Sequence, residues 1–181
     1  AEIVAERAKL LQPKRILETA AGTGAVTSAL HAALPDAEIV ATDLNQPMLD
    51  IAATRIRSDK VSFVAADALQ HVYAFEFRPG LPGFEDDTFD AVVCQFGVMF
   101  FPDKVAANTE ARRVLREGGR YLLVIWDSID RNLATKAAGA AVAKLFPEED
   151  GAFYERIPFR YHDVAQIEHD LLAAGFDDIE L

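Results

Sequence analysis

Three acidic residues stand where a short apolar run gives way to a loop: Glu18 in "ILETAAGTGAVTSAL", Asp43 in "IVATDLNQPMLD" and Asp67 in "FVAADAL". Glu18 lies four residues ahead of Gly22, and Asp43 lies twenty-one residues after it. Gly22 and Gly24 allow the main chain to turn sharply and to come close to a ligand, because neither carries a Cβ that would collide. The helix expected after them presents free N–H groups and a positive dipole end to a carboxylate or phosphate. A carboxylate at Asp43 suits two hydrogen bonds from a ribose diol. One at Asp67 suits an exocyclic adenine amine. Together they describe a ligand with an anionic or amino-acid tail, a ribose and a purine. A nicotinamide dinucleotide shares the ribose acid, but its fingerprint asks for a third small residue where this chain has Thr27. Nor does that fingerprint call for an acid at Glu18; a ligand carrying an ammonium would use one.

The elements that must position these residues alternate along the chain. β-rich runs are expected at Arg15–Thr19, Glu38–Thr42, Val61–Ala65, Phe89–Gln95 and Arg120–Trp126, with a last one from Phe176. Several are apolar throughout, as in a sheet covered on both faces. Helices are expected over the first residues, "AEIVAERAKLL", and at Ala25–Leu34, Gln46–Arg57, Lys104–Leu115 and Asp163–Ala174. Asn45 is the expected N-cap of the third, with Pro47 in its first turn. Gly118 and Gly119 are expected to stop the fourth. Such alternation implies right-handed βαβ units and an α/β fold with a doubly wound, mostly parallel sheet. Ligands of such sheets sit at the carboxyl ends of the strands, where strand order reverses.

The 181 residues suffice for one sizeable core, so residues 1–181 are read as a single domain. About half are hydrophobic and a quarter charged, a globular composition. A formal charge of −11 disfavours a general nucleic-acid binder. Arg112, Arg113 and Arg116 read as the solvated face of a helix. No apolar run is long enough to span a membrane, and the lone Cys94 fits a reducing, cytoplasmic compartment as a small packed hydrophobe. No metal is expected. Both ends read as cut, with helix already under way at residue 1 and a strand barely begun at "GFDDIEL".

The segments "LETAAGTGAVT", "IVATDLNQPMLDIA", "FVAADAL", "FDAVVCQFGVMFFPD" and "ARRVLREGGRYLLVIW" resemble, in order, the motifs of the class I S-adenosylmethionine-dependent methyltransferases. The small-molecule branch similar to the ubiquinone/menaquinone C-methyltransferases is nearest. The resemblance runs from about Arg15 to Asp127. It implies S-adenosylmethionine as donor and S-adenosylhomocysteine as product. It further implies that Glu18 serves the ammonium and the sulfonium-side network, while backbone at Ala20, Gly22 and Gly24 passes the methionine moiety. Asp43 takes the ribose hydroxyls, and Leu44 and Met48 border the adenine. Asp67 and Ala68 hold the adenine edge, and Gln95 and Phe96 line the methyl-transfer side. The chain departs from the family at Glu117, where relatives usually carry proline. It also departs in the long "LQHVYAFEFRPGLPGFEDDT", which gives an insertion at about 70–82. The seventh strand that closes the family sheet is missing.

In-line transfer from a sulfonium needs alignment and exclusion of water more than a catalytic constellation. A general base is required only for a weakly acidic acceptor. His71, Tyr73, His162 and Asp127 are candidates, none in a spacing that compels the role, so no catalytic residue is assigned. The small-molecule acceptor is expected under a cover formed by residues 127–162, where Phe153, Tyr154, Phe159, Arg160 and Tyr161 either line a pocket or pack a long connection. The insertion is either a flap near the site or an exposed hairpin. Two rival functions remain open: a nicotinamide-dependent oxidoreductase, and a domain that binds the cofactor without transferring anything.

Overall fold

The computed structural model describes residues 1–69, 83–147 and 153–181. The expected insertion at 70–82, with His71 and Tyr73, lies outside the described residues.

Helix α1 (Glu2–Leu11) leads into β1 (Arg15–Thr19), α2 (Ala25–Ala33), β2 (Glu38–Asp43), α3 (Gln46–Arg55) and β3 (Val61–Ala65). There follow β4 (Phe89–Gln95), α4 (Lys104–Val114), β5 (Leu115–Val124), α5 (Leu133–Leu145), α6 (Phe153–Arg156) and α7 (Val164–Ala173). The strands form one parallel sheet in the order β3-β2-β1-β4-β5. Successive side chains of a strand point to opposite faces. Thus Ile16 packs with Val4, Ala8 and Leu30 of α1 and α2, whereas Leu17 packs with Ala111 and Val114 of α4. Leu49 of α3 joins Ala41 on the first face, and Ile167 and Leu171 of α7 join Cys94 on the second. Two covered faces explain why β1 and β4 are buried almost end to end. The sheet is the doubly wound α/β fold expected from the alternation.

Three local expectations differ from the structure. Helix α4 ends at Val114, because Leu115 enters the ladder at once, opposite Phe89. Arg120 is the next paired residue, opposite Ala91, so residues 116–119 bulge out. Gly118, with φ +73°, turns that bulge and does not end the helix. Asn45 sits at the N-cap of α3 without a side-chain capping bond. Finally, residues 176–181 form no strand. Phe176 and Ile179 both pack against α7 and β5 while Asp177 and Asp178 stay exposed. That is a spacing of three, where a half-buried strand needs two.

Candidate functional site

Among the described residues all five strands are parallel, so their carboxyl ends share one edge. From β1 the chain proceeds outward through β2 to β3, then returns to the other side for β4 and β5. The order therefore reverses at β1/β4, and the loop after β1 emerges there.

That loop is held open by backbone strain and by β2. Ala20 and Gly22 have φ of 54° and 56°. The Ala21 N–H donates to Thr42 O at 2.9 Å, and the Gly22 N–H to Asp43 Oδ2 at 2.8 Å. Asp43 Oδ1 accepts from the Asn45 N–H at 2.8 Å. Each Asp43 oxygen thus binds one amide and keeps a lone pair for another donor. Among the described residues a Cβ on Gly22 would meet nothing within 4 Å, which leaves space beside it. Gly24 differs from expectation: a Cβ there would lie 2.8 Å from that of Ala52. The collision expected there is with α3, so its bareness lets α2 pack on α3.

Beneath this loop, Glu18 is 2% exposed. Among the described residues its Oε2 has no hydrogen-bond partner, and neither does the Thr27 hydroxyl nearby. Burial pushes the Glu18 carboxyl up to about 8; the hydroxyl and amide of Thr27 oppose the rise and the Asp43 charge adds to it. A buried carboxyl with a bare oxygen is a group that a cation would satisfy. The next tips continue the row. Leu44 and Met48, at the start of α3, are exposed although large and apolar. Asp67 and Ala68 follow β3, whose end is tied to β2 by Ala66 N–H donating to Asp43 O at 3.1 Å. Asp67 Oδ1 accepts from the Leu69 N–H at 2.9 Å.

At the tip of β4, Gln95 pairs with Val124 and Phe96 takes φ 57°. The Phe96 ring stacks on Trp126 at 4.0 Å and 3° between planes, and Trp126 contacts Phe159 at 5.7 Å. Gly97 sits against the loop after β1: a Cβ there would lie 2.4 Å from that of Ala20 and 3.0 Å from Cys94 Sγ. Sequence reasoning missed Gly97 and Trp126. The only signal was their position, immediately past two apolar strands. Phe159 and Tyr161 are buried, whereas Phe153, Tyr154 and Arg160 are not. The remaining candidate bases are locally engaged. His162 Nδ1 lies 2.7 Å from Phe159 O, and the Asp127 carboxylate meets the Ser128 N–H and Arg131. Among the described residues no group of metal-ligating side chains comes together, and no helix is long and apolar enough to cross a membrane. An apolar groove between α7 and β5, lined by Tyr121, Leu123, Ile167 and Phe176, lies on the flank of the sheet.

A methyltransferase domain family model matches residues 17–123. A demethylmenaquinone methyltransferase of Clavibacter sepedonicus is 33% identical over 178 residues, covering 92% of this chain and 67% of that protein. One of Thermus thermophilus is 41% identical over 114 residues, 62% of this chain and 47% of that protein. The chain thus spans about half the length of that relative. A Bacillus halodurans structure described as a methyltransferase superposes with TM-score 0.68 at 27% identity, covering 98% of this chain and 69% of that one. An open parallel sheet with a strained glycine loop at its switch point and acids on three adjoining tips defines a nucleotide-cofactor-binding α/β domain. The chain belongs to the methyltransferase domain family, among the class I S-adenosylmethionine-dependent methyltransferases.

Proposed function

We propose that residues 1–181 act as one domain that holds S-adenosylmethionine across the tips of β1, β2 and β3. The methyl group would go to a small-molecule acceptor presented over the tip of β4. The observation that carries this reading is the buried, unpartnered Glu18 oxygen beneath a glycine loop with free space beside it. These residues fit the cofactor. An ammonium satisfies Glu18, the spare lone pairs of Asp43 suit a ribose diol, and Leu44 and Met48 offer apolar edges to a purine. When bound, the cofactor supplies a methyl already activated by the sulfonium charge.

The protein's own task is alignment and dryness. Asp43 keeps the loop after β1 against β2 through Gly22, and Gly97 brings the tip of β4 into contact with Ala20. Phe96, Trp126 and Phe159 form an aromatic wall beyond that tip. Two relatives named for demethylmenaquinone support an acceptor with a flat ring, for which such a wall offers a stacking face. No side chain is assigned as general base.

Calorimetric titration with S-adenosylmethionine, S-adenosylhomocysteine and NAD tests the reading. The first two are expected to bind and NAD is not. Asp43→Ala removes both the loop anchor and a charged acceptor, and should weaken cofactor binding about tenfold or more. An affinity within about twofold of wild type, or binding of NAD alone, would overturn the assignment.

A further inference from the structure

A second cleft, of about 590 Å³, opens at the same edge of the sheet. On one side lie Met99, Phe100 and Lys104, which follow the tip of β4; on the other lie Arg160, Tyr161 and Asp170. Arg156 also lines it. The chain as a whole carries −11, so cations gathered in one hollow run against its composition.

The placement of Lys104 is unfavourable on three counts. It is the first residue of α4, where the positive end of the helix dipole disfavours a cation. It is half-buried, and desolvation is the main cause lowering its pKa, with the Arg160 charge lowering it further. Its Nζ finds partial compensation, donating to Phe101 O at 2.9 Å and lying 5.0 Å from the centre of the Tyr161 ring. The Asp170 and Asp103 charges also favour the cation, but both carboxylates are engaged. Asp170 accepts from Tyr161 Oη at 2.9 Å and from Gln166 Nε2 at 2.7 Å, and Asp103 caps α4 through the Ala106 N–H. Among the described residues neither Lys104 nor Arg160 forms an ion pair. An anion between them would relieve the mutual repulsion and complete the donor set.

The cleft also adjoins the proposed methyl-transfer side. Arg160 follows Phe159, the far end of the Phe96–Trp126–Phe159 wall, and Met99 and Phe100 follow Phe96 by three and four residues. We propose that Lys104 and Arg160 bind a carboxylate or phosphate carried by the methyl acceptor, so that the substrate is an anionic small molecule whose ring meets the aromatic wall. This rests on the methyl-transfer reading and specifies its substrate class.

Trp126 is the chain's single tryptophan and lies on the wall between the two sites, so its fluorescence reports occupancy. Protein saturated with S-adenosylhomocysteine, and protein without it, would each be titrated with benzoate, phenyl phosphate and the neutral benzamide. One anion at least should saturate at a concentration about tenfold below benzamide, and the better of the two identifies the charged group. Lys104→Met and Arg160→Met should each raise that concentration about fivefold or more, while Lys104→Arg keeps it near wild type. Affinity for S-adenosylhomocysteine should be unchanged in all three variants, which also shows that they fold. Equal binding of benzamide, no saturation by either anion, or anion binding indifferent to both methionine variants would overturn the proposal. Failure of S-adenosylhomocysteine to bind would instead overturn the methyl-transfer reading, and the titration without it would still decide the anion site.

Discussion

At 2% exposure, Glu18 has one oxygen without a hydrogen-bond partner among the described residues, a state tolerable for a neutral acid or beside a cation. Its carboxyl stands at about 8 in place of the ordinary 4.5, with burial the largest cause. Between those values the folded chain holds a proton that the unfolded chain has released. This contribution to stability is therefore complete below about 4.5, declines as pH rises and is gone above about 8. The slope is about 1.4 kcal/mol per pH unit, or of order 5 kcal/mol across the window. Glu18→Gln removes the titration. Urea midpoints measured from about pH 5 to about pH 9 should vary less in the variant, which should be the more stable form above pH 8. Parallel curves would show that Glu18 titrates normally. A cationic ligand end draws the same carboxyl down, so cofactor uptake at neutral pH should release a proton, seen as a buffer-dependent heat.

Among the elements, β1, β3 and β4 keep the bounds expected of them; in β1 and β4 burial on both faces leaves a signal that needs no knowledge of partners. The three acids were legible for the same reason, as polar residues stopping apolar runs. What the sequence concealed depends on contacts between distant segments. Gly118 and Gly119 look like a helix stop, yet pairing of Leu115 with Phe89 ends α4 earlier and leaves the glycines to a bulge. Helix α5 buries only Gly139, and its sequence is apolar nearly all round, so no one-sided stripe marks it as a helix. Gly97 carries no local sign of its role, since its backbone is ordinary and the closest obstacle to a Cβ is Ala20, from another loop, with Cys94 Sγ next. Gly97→Ala should therefore part the tips of β1 and β4, costing about 1–3 kcal/mol in urea unfolding and weakening cofactor affinity. Ala20 has φ 54°, a conformation that suits glycine. Ala20→Gly removes the opposing methyl, so the double variant should recover the larger share of both losses. Additive effects would show that the two positions do not touch.

For the molecule as a whole, the sheet is clamped unevenly. Its faces are packed by α1, α2 and α3 on one side and by α4 and α7 on the other, whereas the edge formed by the strand tips leaves Leu44, Met48, Phe100 and Trp126 exposed. Covering part of that edge with a ligand couples several loops to the core at once, and its effect on global stability follows mass action. At about one hundred times its dissociation constant, a ligand that binds only the folded state adds about 2.7 kcal/mol. A chain of this size gains roughly 2–4 °C in Tm for each kcal/mol. S-adenosylhomocysteine should therefore raise Tm by about 5–10 °C at that concentration, and NAD should leave it unchanged. The aromatic wall and the cationic cleft form a separate part of the same edge, so an anionic acceptor analogue should add a further, independent rise. That second rise should vanish in Lys104→Met and Arg160→Met while the first persists. A single rise shared by both ligands, or lost together in those variants, would mean that one site serves both, and that the edge is not divided between donor and acceptor as its charges suggest.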